Sequence, residues 1–225
     1  MPDAARVGDN HTCPAHGGGP IDAPASPDVD TNTVAQARAG DPATCAGTKD
    51  MIIQGSSTVY VNGIPAARKT DKMAHKGAVA VGSSDVEIGG AAVGVMRVGD
   101  QVRIGGSRAW RNNNPGNIVA GKWANAHGAI GSDGKMAVFP DEATGKGALN
   151  DLLKGDGYKD LSISDAMQKY APPNENDTAG YISALHNATG LDTSRTVGSL
   201  SDSELGSFTS AIQQHEGWIP GTTSP

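Results

Sequence analysis

Two groups of side chains in this sequence are of types that do chemistry, and they stand near its two ends. The first is a set of imidazoles and thiols. His11 and His16 lie in "GDNHTCPAHGGG", Cys45 in "GDPATCAG" and His75 in "TDKMAHKG". Cys45 and His75 occupy matching places, each a few residues after an Asp, in segments that repeat. Equivalent positions of stacked repeats converge, so the spacing predicts His11, His16, Cys45 and His75 around one ion. Three imidazoles and a thiolate form a closed tetrahedral zinc set, the structural kind with no open position for water. Cys13, next to Pro14, could replace His11 or His16. The competing reading is scattered surface histidines and a buried thiol. The second group centres on Glu216 in "SAIQQHEGW".

Ser201 and Glu204 make an S-x-x-E capping box, which predicts a helix start. From there Glu204, Phe208, Ile212 and Glu216 fall at four-residue steps, with Leu205 beside them. Glu216 therefore extends an apolar stripe. It also stands at the helix C-terminus, where the macrodipole disfavours a carboxylate. Burial and the dipole are both expected to raise its pKa, as a general acid working near neutrality requires. The plainer expectation is a solvated charge at a helix end. His215 points roughly 100° away around the helix and is not paired with it. The run "NNNPGN" adds Asn113, Asn114 and Asn117. Amides donate and accept, so several together suit ligands bearing hydroxyl and acetamido groups; otherwise the run is a turn-rich linker.

The elements that must position these groups differ between the two halves. The net charge is −6 and no Lys/Arg run is dense enough to neutralise a phosphate backbone, which argues against nucleic acid as partner. No stretch approaches the ~18 apolar residues of a membrane span, and the N-terminus has no signal-peptide pattern, so a protein made in the cytoplasm is expected. Of nine aromatic residues only Tyr60 precedes residue 106. A segment so poor in large side chains needs a staple. It repeats instead: 26–41, 55–71 and 82–90 are three versions of one unit, at a period of roughly 30 residues. In "STVYVNGIPAAR", Val59 and Val61 alternate with polar positions and Asn62-Gly63 supplies a hairpin turn. After residue 106, helical periodicity runs through 141–155, 162–171, 176–190 and 201–217, preceded by a short strand over 136–139. The expected class is α+β in two domains: 1–95 a stack of short hairpins, 96–107 a junction, and 108–225 a mostly helical domain.

Segment 1–90 resembles the PAAR-repeat proteins that sharpen the spike of the type VI secretion system. The resemblance rests on "ARVGD" (5–9), "HGGGPI" (16–21), "GSSTVYVNGIPAARKTD" (55–71) with Pro65-Ala66-Ala67-Arg68, and "HKGAVAVGSSDVEIGG" (75–90). The first repeat departs, "VAQARAGD" keeping only part of the signature. The resemblance implies a small β cone with one structural zinc per chain near its apex. It also implies a trimeric valine-glycine-repeat spike protein as partner, and cargo fused behind the cone.

The cargo region is similar to lysozyme-like peptidoglycan hydrolases, through Asn113 to Ile118, Met136 to Ala148 and Tyr170 to Leu185. In those enzymes the helix carrying the acid comes before the Asn loop; here "SAIQQHEGW" comes last, which implies a circular permutation. The resemblance implies a glycosidase with Glu216 as general acid. Asp133 is the first choice for a second carboxylate, followed by Asp141 and Glu142, and Tyr181 orients substrate or steadies developing charge. It further implies an antibacterial toxin secreted by the type VI system, acting on peptidoglycan in the target periplasm and held in check at home by an immunity protein. The alternative is an adaptor whose second domain only binds cell wall or another effector. A nuclease is disfavoured by nine basic against thirteen acidic residues in the second half. A thiol peptidase is disfavoured because both cysteines lie in the first half.

Overall fold

The computed structural model describes residues 1–225. It is mixed α+β, with small hairpin sheets in the N-terminal half and helices in the C-terminal half. The chain divides into two compact units. The first comprises 1–112 with 132–135 and 220–225, the second 113–131 with 136–219.

The first unit is built by repetition. Arg6, Arg38 and Arg68 each pair with the Asp three residues on, at 3.1, 3.2 and 2.9 Å. In each case the carboxylate also accepts from the arginine's own backbone N–H, so the turn and the ion pair form together. The alanines just before these arginines close a ring: Ala37 N–H donates to Ala5 O, Ala67 to Ala37 and Ala5 to Ala67, at 2.9–3.0 Å. A head-to-tail ring of three equivalent bonds is what a pseudo-threefold arrangement of repeats requires. The three serines that open the repeats, Ser26, Ser56 and Ser83, each accept from the backbone N–H three residues on. Asn62 (φ 53°) and Gly63 (φ 74°) turn the hairpin Tyr60–Val61/Ile64–Pro65, the doubly left-handed turn that an Asn-Gly pair supplies. The first repeat keeps this geometry despite its altered signature. Gln36 replaces the Ala of the next copy, and its buried amide bonds Thr31 Oγ1, Ala37 O and Ala67 O.

One expectation changes here, and further strands lie beyond the repeats. Val61 is buried but Val59 is exposed, because the strand is only Tyr60–Val61 and Val59 belongs to the Ser56 turn. Residues 96–107 contain most of a hairpin, Ala92–Val98 with Gln101–Ile104, whose Val95, Val102 and Ile104 join the core of the repeats. The strand Thr222–Ser224 adds to its edge, giving a four-stranded antiparallel sheet with Gln54–Ser56 on the far side.

The second unit has a different core. Its helices are α2 (Lys122–Ala126), α3 (Glu142–Lys154), α4 (Ile163–Tyr170), α5 (Thr178–Thr189) and α6 (Asp202–His215), after a short α1 (Arg108–Arg111) in the first unit. Ser162, Asp177 and Ser201 cap α4, α5 and α6, and the Ser201–Glu204 capping box is complete. Phe139, Leu149, Leu153, Met167, Phe208 and Ile212 are fully buried together. No helix is long and apolar enough to cross a membrane.

Candidate functional site

The helix α6 ends in a way that fixes Glu216. Gly217 takes the left-handed conformation (φ 73°). Its N–H bonds Gln214 O, and Trp218 N–H bonds Gln213 O, the two bonds of a Schellman cap. Glu216 is thereby the C-cap residue. Its carboxylate accepts from Tyr181 Oη at 2.9 Å and from Asn117 Nδ2 at 2.8 Å. Asn117 sits at φ 46°, a left-handed conformation that Asn tolerates. Burial and the neighbouring Glu216 push the Tyr181 hydroxyl far above its ordinary pKa, so it remains a phenol that donates. The His215 imidazole stacks on the Tyr181 ring at 3.8 Å.

Two clefts of the second unit meet at this carboxylate. One, of 400 Å³, is lined by Asn117, Trp123, Tyr158 and Tyr170; the other, of 340 Å³, by Asp177, Tyr181 and His215. Asn176 and Glu216 belong to both. Another cavity of the unit, 540 Å³ along Ile182 and His186, lacks this carboxylate. Chemistry rather than size therefore selects the site.

Three of the sequence-predicted residues, Glu216, Tyr181 and Asn117, are thus brought together. The others are placed elsewhere. Asn114 is fully buried, donating to Ile118 O and Ala137 O and accepting from Ile118 N–H. Asn113 is buried and donates to Phe139 O. Both brace the loop. Asp133 belongs to the first unit, bound through both oxygens to Arg108 and by Asn112 Nδ2 at 2.6 Å. Asp141 caps α3 through Thr144, which holds its carboxyl below the usual range. Glu142 accepts from Gln213 and pairs with Lys146. Sequence reasoning missed Trp123, His215 and Asp177 as cleft residues. An Asp four residues before Tyr181, at a helix start, was the available signal for Asp177.

In the first unit Cys45 is the hub of a second group. The ligand atoms of Cys13, His16, Cys45 and His75 lie within 4.8 Å of one another, and His11, Cys45 and Asp50 do likewise. Cys13 Sγ is 3.4 Å from His16 Nδ1, and Cys45 Sγ 3.9 Å from His75 Nδ1. His11 Nδ1 donates to Gly19 O at 2.8 Å, leaving Nε2 aimed at Cys45 Sγ (3.3 Å) and Asp50 Oδ2 (3.4 Å). A backbone bond at one ring nitrogen, with the other turned inward, is how proteins orient metal-binding imidazoles. Burial first, then Cys13 and Asp50, pushes the Cys45 thiol up to about 12, so without a cation it stays protonated. The donor set fits an ion that takes nitrogen and sulfur. Of the predicted four, His16, Cys45 and His75 share one group with Cys13, the named substitute, while His11 meets Cys45 and Asp50 in a second group.

The PAAR motif matches residues 3–49, 14–81 and 51–109. The N-terminal region is thus a PAAR region, and the motif points to a type VI secretion spike-tip protein that associates with a spike. No curated protein matches the chain.

Proposed function

We propose that this chain is a type VI secretion spike tip whose second unit, a permuted lysozyme-like domain, cleaves the glycan strands of peptidoglycan. The first unit is a β cone holding one structural zinc ion, bound by His16, Cys45 and His75 with His11 or Cys13. Its pseudo-threefold ring suits the end of a trimeric valine-glycine-repeat spike, one chain per trimer. The chain is made in the cytoplasm and delivered to the periplasm of a target cell. The producer needs a cognate immunity protein.

The observation that carries the enzymatic reading is the Glu216 carboxylate, held by Tyr181 and Asn117 where two clefts meet. A polymer lying along both clefts places one of its linkages beside this group. Glu216 then protonates the glycosidic oxygen as the C–O bond breaks, and the bonding pair stays with the leaving oxygen. The resulting carboxylate takes the proton of the attacking hydroxyl, from water or from the sugar itself. Tyr181 keeps the carboxyl in place, and His215 keeps Tyr181 in place.

A wall-binding module without cleavage is the second reading. It is favoured by the engagement of Asp133, Asp141 and Glu142 in contacts away from the cleft. Digestion of purified walls, followed by mass spectrometry of soluble products, separates the two. Glycan fragments with new sugar ends are expected; walls bound but left whole would establish the binding module.

A further inference from the structure

The 400 Å³ cleft has a wall that Glu216 chemistry does not use. Trp123, on α2, lines it while remaining 38 % exposed. The ring is held from behind. His127 stacks on it at 3.8 Å and 15°, and the His127 Nδ1–H donates to Trp123 O at 2.8 Å. The imidazole covers one face of the indole, and the ring still lines the cleft. A large exposed aromatic braced in this way is a ready-made stacking surface.

The charge of this cleft narrows what can lie there. Neither Lys nor Arg lines it, and Glu216 is its only acid. Lys169 is not among the lining residues; its ammonium lies over the Tyr158 ring and donates to Gly157 O. Burial pushes the Tyr158 hydroxyl up, so it is a neutral phenol. An acidic stem peptide would meet no cation here and one carboxylate. An uncharged pyranose would meet an aromatic face for its C–H groups, with amides and phenols for its hydroxyl and acetamido groups.

We propose that the Trp123 side of the cleft is a stacking platform for an uncharged N-acetylhexosamine ring, so that the protein grips the sugar chain of the wall and not its peptides. This deepens the glycan-cleavage reading and rests on it. The test uses the full chain carrying Glu216→Gln, so that ligand is bound without being cut. The probes are the β-1,4-linked tetramer of N-acetylglucosamine and, separately, an acidic wall stem tetrapeptide, followed by calorimetry and tryptophan fluorescence.

The tetramer should bind and perturb the fluorescence, and the peptide should not bind. Adding Trp123→Ala should weaken tetramer binding roughly tenfold or more, about the scale of a lost stacking contact with its buried area. Trp123→Phe should retain most of the binding and lose the fluorescence response. Should Trp123→Ala unfold, the Trp123→Phe pair of readouts decides. Tetramer binding unaffected by Trp123→Ala, a fluorescence response that persists in Trp123→Phe, or no tetramer binding at all would overturn the platform. Wild-type protein that cuts walls while the tetramer fails to bind removes the platform and leaves the hydrolase. Tetramer held through Trp123 with walls uncut does the reverse.

Discussion

The first unit and the second reach order by different physical means. The first has few large side chains: its core is mostly alanine, valine and isoleucine, with no aromatic residue. What it has instead is one device used three times, the Arg–Asp turn with its alanine ring, and a group of thiols and imidazoles at one place. The second has no repeat and no such group. Phe139, Phe208 and seven helical leucine, isoleucine and methionine positions form a conventional apolar core. Repetition takes the place of side-chain volume in the first unit, whereas in the second an apolar core accompanies Tyr181 and Asn117 held within hydrogen-bond range of Glu216.

The sharpest way to break this contrast is to remove the metal. Chelation or His75→Ala should unfold 1–90 and leave the α3–α6 helical signal in place, because the binding energy of a structural zinc site is folding energy, on the order of 10–16 kcal/mol in small zinc peptides. Metal analysis finding no zinc in a first unit that is still folded would remove the metal from the account.

Within the first unit the three ion pairs are not equally buried. Arg68 and Asp71 are both 3 % exposed, whereas Arg6 is 21 % exposed. Arg68→Ala leaves Asp71 buried without its partner and should cost about 3–5 kcal/mol. Arg6→Ala should cost roughly 1 kcal/mol or less. Equal losses in denaturant melts would mean that the repeats are held by something other than these pairs.

The second unit can be loosened at Gly145, where α3 passes the Asn loop. A Cβ there would lie 1.9 Å from Asn113 O. Gly145→Ala should therefore cost about 1–3 kcal/mol through displacement of backbone, and should lower activity by moving the loop that carries Asn117. A neutral substitution would show that the loop is free to shift.

The smallest effect belongs to Glu204. Its carboxyl is held down to about 2 by Arg195 first, then by the Ser201 backbone and hydroxyl. A folded pKa below the ordinary value of roughly 4.3 means that this support is present above that value and fades as the pH falls toward 2. Glu204→Gln should lower Tm slightly at pH 7, match wild type near pH 2 and leave activity unchanged. A gap in Tm that persists at the lower pH would assign the effect to packing.

Much of this was legible in the sequence where a local rule decides the outcome. Ser201 and Glu204 placed the start of α6 within one residue, Asn62-Gly63 placed its hairpin, and four-residue steps placed Phe208 and Ile212 in the core. Glu216, Tyr181 and Asn117 were separately readable as polar groups of the right kind. What stayed hidden depends on long-range partners. Asn112, Asn113, Asn114 and Asn117 are chemically the same, yet one holds Asp133, two brace backbone and one faces Glu216. Cys13 was named from the sequence only as a substitute ligand, and Asp50 reaches Cys45 and His11 through loop geometry that no spacing encodes. The strand Thr222–Ser224 has no alternating pattern, because it pairs as an edge with little to bury.

The central claim is that Glu216 is the acid of a glycosidic cleavage, and substitution by its amide tests it most directly. Glu216→Gln keeps the size of the side chain and removes the proton donor. Zinc content and circular dichroism should match wild type, while the rate of fragment release from purified walls should fall on the order of a hundredfold or more. Wall digestion by Glu216→Gln at close to the wild-type rate would contradict the account and turn the search for the acid to Asp177, the other carboxylate of the cleft.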